Sequence, residues 1–388
     1  MKRIGLLVCL LCLFATGCGE NNESEVMEKV DFVVEVEEGR EPIILQLADP
    51  QILDAGQQRS PQRLSSVEQQ FWATDKVEEN CYDYLRETIT KTHPDLILIV
   101  GDIIYGEFDD SGRAMESFVE FMDSFGIPWA PVFGNHDNET RKGVDWQCEQ
   151  FVNAENCLFK QRELTGNGNY TVGISQGGEL KRVFFMMDSN GCGNVSEESR
   201  ANGHTVSSIG FGRDQMTWYT EVAEEIIELS PDTKFTFAFH IQMRAFADAF
   251  EQYGYGTGNL SKNPINIDKL PNKKEGDFGY LGQEFASSCW DDQYIVWNSF
   301  KELGVDSVLV GHEHANSASV VYEGIRCQFV QKSSTYDQIN YMQNGKYITS
   351  ACKNLTPVVG GTVFELSEED GSIVNPHIYL CEAIGNNK

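Results

Sequence analysis

The chain has 388 residues, 41% of them apolar, enough for one large domain or two small ones, with a core that does not depend on disulfides. It carries 30 Lys and Arg against 59 Asp and Glu, a formal charge of −29. Such a field repels polyanions and argues against nucleic acid or an anionic membrane surface as the main partner. A phosphate ester can still bind where metal cations govern the field inside a cleft.

Residues 1–17 read as a signal peptide. Met1-Lys2-Arg3 is a positive start, residues 4–14 form an apolar stretch too short to span a bilayer, and Ala15-Thr16-Gly17-Cys18 offers a small-residue cleavage site. The pattern resembles a bacterial lipoprotein signal, although Ala15 stands where leucine is usual. It implies that Cys18 is lipidated and that the protein is anchored in the cell envelope through that lipid. The alternative is an ordinary secretory signal and a soluble secreted protein. Residues 18–40 are expected to be an acidic tether, and 41–388 the folded domain. Export permits disulfides, and eight cysteines remain after Cys9, Cys12 and Cys18. Cys148 with Cys157 and Cys327 with Cys352 are candidate pairs among 105 possible connectivities.

Along the domain, apolar runs at 43–48, 96–100, 129–133, 183–187, 235–239 and 307–310 predict buried strands. Helical spacing predicts helices over 77–92, 114–125, 214–229 and 291–303. Their alternation predicts a layered α/β sandwich. Short strands at 319–322, 325–330, 361–365 and 373–380 read as an antiparallel finish to one sheet. Loops at 52–75, 191–212 and 245–282 are expected over the active edge. The last carries Tyr253, Tyr255, Phe278 and Tyr280, which could stack on a substrate ring or merely decorate a surface insertion.

Five of the strands run into strings that hold the chemistry: Asp49-Pro50-Gln51, Gly101-Asp102, Gly134-Asn135-His136-Asp137, His240 and Gly311-His312-Glu313-His314. Four of the seven histidines fall in them. Side chains leaving neighbouring strand ends converge on one edge of a sheet, so these residues suit a two-metal hydrolytic centre. Ser189-Asn190-Gly191, after 183–187, is expected to border the cleft without supplying a ligand. His204 lies in a loop and is a candidate substrate contact.

In this order the strings resemble the calcineurin-like metallophosphoesterase superfamily. Gly101-Asp102-Ile103-Ile104-Tyr105 is similar to the GDxxY string of purple acid phosphatases, whose tyrosine binds ferric iron, and the wider context resembles the small branch related to those enzymes. The resemblance implies a four-layer α/β/β/α sandwich with two mixed sheets, and two metal ions drawn from Fe, Mn or Zn. Asp49, Asp102 and His314 with Gln51 or Tyr105 would hold one metal. Asp102, Asn135, His240 and His312 would hold the other. The usual first string is Asp-x-His or Asp-x-Gly; here Gln51 stands in its place, and an amide oxygen is a weaker ligand than imidazole.

The implied reaction is attack on a small-molecule phosphate monoester by a hydroxide shared between the metals. Asn135 would contact the phosphoryl group, His136 would contact substrate and protonate the leaving group, and Asp137 would orient His136 or, more plainly, hold a loop turn. Glu313 would point away from the ligands, towards solvent or structure. A phosphodiesterase or nucleotide pyrophosphatase on the same site is the alternative, and a non-catalytic ligand-binding lipoprotein is the reading of another class. A monomer is expected.

Overall fold

The computed structural model describes residues 20–57, 75–191, 210–255, 265–282, 290, 294–335, 339–343, 346–350 and 356–382. In chain order the first strands are β1 (Phe32–Glu35), β2 (Ile43–Leu47), β3 (Leu96–Val100) and β4 (Trp129–Val132). Next come β5 (Tyr170–Gln176), β6 (Glu179–Met186), β7 (Lys234–Ala238), β8 (Ile265–Asn266) and β9 (Phe278–Leu281). They are followed by β10 (Val305–Val310), β11 (Ser317–Tyr322), β12 (Ile325–Phe329), β13 (Ile339–Gln343) and β14 (Lys346–Ser350). The last are β15 (Thr356–Pro357), β16 (Gly360–Leu366) and β17 (Ile373–Leu380). The helices are α1 (Glu20–Met27), α2 (Asp75–Thr92), α3 (Arg113–Asp123), α4 (Val144–Asn153), α5 (Arg213–Leu229), α6 (Arg244–Glu251) and α7 (Ile295–Glu302).

Two mixed sheets stack face to face, one of nine strands ordered β1-β5-β6-β7-β10-β12-β11-β9-β8 and one of five ordered β17-β16-β2-β3-β4. A separate three-stranded sheet, β14-β13-β15, lies outside both. Alternation along β6 shows why the layers form. Phe184 and Met186 face the five-stranded sheet and join its core, while Val183, Phe185 and Met187 join the core beneath the helices on the other side. A strand buried on both faces reads as a continuous apolar run, as parallel central strands do. Residues of α2, α3 and α4 pack in the first core, and residues of α1, α5, α6 and α7 in the second. The result is the four-layer α/β/β/α sandwich.

Several expectations need correction. Part of 18–40 is not a tether: β1 pairs in parallel with β5, and Val26, Val30 and Val36 are buried. Within it Asp31 is held by Lys160 and Arg162 at 2.6 Å and by the Thr171 amide at 3.0 Å, which ties the segment to the folded domain. The late strands do not share one sheet. β12 pairs with β10 and β11 with β12, whereas β16 pairs with β2 and β17 with β16 in the other sheet. The stretch 245–282 contains most of α6 as well as β8 and β9, which extend the large sheet. Tyr253 and Tyr255 are buried there, with hydroxyls donating to Asp277 and Glu313, so neither offers a face to a substrate.

The helix expected over 291–303 starts at Ile295. Cys148, Cys157 and Cys327 are free thiols, so Cys148 and Cys157 are not bridged. Cys352 lies outside the described residues, as do Cys18, His204 and most of the loops 52–75 and 191–212. Among the described residues no helix is long and apolar enough to cross a membrane.

Candidate metal centre

The carboxyl ends of β2, β3, β4, β7 and β10 meet at one edge of the sandwich, and each delivers one of the strings. Asp49, Asp102 and His312 all take left-handed backbone conformations, with φ of 51°, 49° and 68°. These are costly for residues with a Cβ, and the surroundings hold them in place. The His136 amide donates to Asp102 Oδ1 at 2.8 Å, and the His312 amide to the Asp49 carboxylate at 3.2 Å. The strings must also approach closely. A Cβ on Gly101 would stand 2.5 Å from His240 Nδ1, and one on Gly134 would run into the Asp102 carboxylate.

Two donor triads result, Asp102 with His240 and His312, and Asp49 with Asp102 and His314; within each, the donor atoms lie within 4.8 Å of one another. Asp102 belongs to both. His240 Nδ1 donates to the Val100 carbonyl at 2.8 Å, which turns the lone pair of Nε2 towards Asp102 Oδ2, 3.2 Å away. Neither of these two atoms has a partner beyond the other, and Asn135 Oδ1 is buried and unpartnered. A buried carboxylate oxygen facing an imidazole lone pair is unstable unless a cation lies between them.

Without a metal that cation is a proton. Burial pulls the His240 pKa down, but Asp102 and Asp49 outweigh it and push it up to about 9. His312 goes the other way, to about 3, through burial and the neighbouring His240 charge. It is a neutral imidazole at any ordinary pH, the form that binds metal. Hard carboxylate and amide oxygens beside imidazole nitrogens suit Zn, Mn or Fe, so the residues present fit the expected pair of ions.

Around His136 the structure corrects one role and adds a residue. His136 Nδ1 pairs with Glu139 Oε2 at 2.9 Å, and its ring stacks on Tyr105 with centroids 4.2 Å apart. Asp137, expected to orient His136, instead accepts from the amides of Gly134 at 2.7 Å and Ile104 at 3.0 Å, pinning two strings together. Burial and the Asp102 charge push its pKa up to about 7. A short 3₁₀ turn, Asp137–Glu139, brings Glu139 beneath the imidazole. The i,i+3 spacing of His136 and Glu139 was the available signal.

Gln51 is fully buried, but its Oε1 accepts from Lys332 Nζ at 2.7 Å. Nothing near Gln51 in sequence announces Lys332. Glu313 does point away from the ligands, but towards the interior rather than solvent. It is buried among Tyr255, Asn316 and Gln242, all of which donate to it, and burial pushes its pKa up to about 8. Gly191 borders Asn135, and the buried Asp188 accepts from the Asn167 and Asn190 amides.

Fold and site together define a hydrolase-type centre for two metals at the strand ends of a four-layer sandwich. The chain belongs to the calcineurin-like phosphoesterase family, which it matches over residues 43–316. It is 24% identical over 255 residues to phosphatase DCR2 of Saccharomyces cerevisiae, covering 62% of this chain and 39% of that protein. It is 40% identical over 111 residues to "Probable inactive purple acid phosphatase 28" of Arabidopsis thaliana, covering 24% of this chain and 28% of that protein. The chain thus spans between about a quarter and two fifths of the length of these curated relatives. Among solved structures, a dimetal phosphatase from Danio rerio is similar over 84% of this chain and 92% of its own, at 12% identity and a TM-score of 0.47.

Proposed function

We propose that the protein is an exported, metal-dependent phosphoesterase that prefers phosphate monoesters. The observation that carries the reading is the pair of facing acceptors, Asp102 Oδ2 and His240 Nε2, at the junction of two donor triads that share Asp102. Asp102, Asn135, His240 and His312 would hold one ion, and Asp49, Asp102 and His314 the other. Two such ions, when bound, supply Lewis acidity and an activated water. The rest falls to the chain. Asn135 has an amide group to offer the phosphoryl oxygens. His136, oriented by Glu139 at Nδ1, would hold at Nε2 the proton that the leaving alkoxide needs.

Metal analysis combined with hydrolysis of an aryl phosphate monoester and the matching diester tests this. Bound metal and faster monoester turnover are expected; faster diester turnover would move the assignment to a phosphodiesterase or nucleotide pyrophosphatase. Absence of both metal and turnover would leave the ligand-binding reading. A purple colour lost in Tyr105→Phe would mark ferric iron on that phenolate. Metal without colour would leave Tyr105 as the ring that packs His136.

Export through a lipid on Cys18 rests on the signal-like residues 1–17 and belongs to the same proposal. Since α1 begins at Glu20, such an anchor would hold the domain close to the membrane surface. Membrane fractionation reads it directly. The protein is expected with membranes, and Cys18→Ala in the soluble fraction; an unchanged distribution would remove the anchor.

A further inference from the structure

Lys332 is a buried cation behind the metal centre. It is 1% exposed, and its Nζ donates to the Asp49 carbonyl at 2.8 Å as well as to Gln51 Oε1. Its backbone cannot carry it away, because it lies on a strap that ties the two sheets together. Lys332 bridges Ala48, its carbonyl accepts from the Gly360 amide at 3.1 Å, and the Ser333 amide donates to Ala48 at 2.9 Å.

An ammonium has donors only, so the atom of Gln51 that faces it is the amide oxygen. The amide nitrogen is left buried and without a partner. That nitrogen cannot bind a metal ion. The oxygen keeps a second lone pair, but a metal using it would share one atom with a fixed positive charge, across a buried space where screening is weak. Asp49 is under the same constraint, since its backbone oxygen binds Lys332 while its carboxylate faces His314, 3.5 Å from His314 Nε2.

We propose that Lys332 makes the two metal positions unequal. The position of Asp102, Asn135, His240 and His312 binds its ion tightly, and the position of Asp49, Asp102 and His314 binds weakly and exchangeably, with Gln51 committed to the lysine rather than to metal. This rests on the two-metal reading above. The lysine places its ammonium where the family resemblance leads one to expect a ligand for a second ion, and the ion of the weaker position becomes the one whose occupancy follows metal supply.

The test is equilibrium titration of the metal-free full chain with Mn²⁺, following free Mn²⁺ by electron paramagnetic resonance. Two steps are expected, with dissociation constants about tenfold or more apart. Lys332→Met keeps the buried alkyl chain and removes the charge, so the weaker step should tighten by about tenfold or more while the tight step holds. Lys332→Arg keeps the charge and should keep the gap. Gln51→Ala removes one acceptor of the lysine but, on this proposal, no metal ligand: the weaker step should change little. Equal steps in the wild type, no tightening in a Lys332→Met protein that unfolds cooperatively, or a loss of about tenfold or more in Gln51→Ala would each overturn the proposal. No Mn²⁺ binding in the wild type would overturn the two-metal reading itself, and this inference with it.

Discussion

Replacing Asp102 with asparagine is expected to empty both metal positions at once. The carboxylate belongs to both donor triads, and its Oδ2 faces the lone pair of His240 Nε2 at 3.2 Å. Asparagine keeps the oxygen that accepts the His136 amide at 2.8 Å, so the loop after β3 has what it needs to hold its shape. What disappears is the charge. The Asp102 carboxyl is held below the usual carboxylate range despite burial, chiefly by the neighbouring His240 and His136. Without it, His240 loses the main influence that raises its pKa, and the positions lose their shared anion. Metal content should fall from about two ions per chain to fewer than about one, and turnover by roughly 10³-fold or more. Metal analysis on protein with wild-type far-ultraviolet dichroism reads this. Retention of both ions would show that Asp102 does not join the two positions.

The ligands were legible in the sequence for a physical reason. Metal donors are uncommon residue types, and buried parallel strands are written as unbroken apolar runs, so a histidine or aspartate just past such a run stands out. Asp49, Asp102, Asn135, His240, His312 and His314 all lie within four residues of the end of the strand before them. The groups that position and balance them were not legible. Lys332 reaches Gln51 across 281 residues of sequence, and that contact exists only because the strap after β12 crosses to the other sheet.

Glu313 points away from the ligands as its place in the string requires, but its donors Gln242 and Tyr255 lie 71 and 58 residues earlier in the chain, so the string does not announce the interior it meets. The N-terminal segment was misread for a related reason. Its acidic composition suggested solvation, yet the cations that pair with Asp31 come from Lys160 and Arg162, far along the chain. Local patterns report which residues are apolar or reactive. They do not report which distant charge will meet them.

His136 offers the sharpest separation of chemistry from metal binding. His136→Ala should lower turnover by roughly 10²–10⁴-fold while both ions stay bound, because the histidine side chain supplies a proton rather than a ligand. The size of the loss should depend on the leaving group. An alkyl phosphate needs its alkoxide protonated and should suffer most; a nitrophenyl phosphate, whose phenolate leaves unaided, should suffer least. Glu139→Gln should reproduce that dependence in weaker form, since it removes the charge at Nδ1, 2.9 Å away, and leaves the ring in place against Tyr105. A merely structural Glu139 would lower all substrates equally. If His136→Ala instead sheds metal, the histidine belongs to the centre's ligands, and the proton must come from another group at this edge.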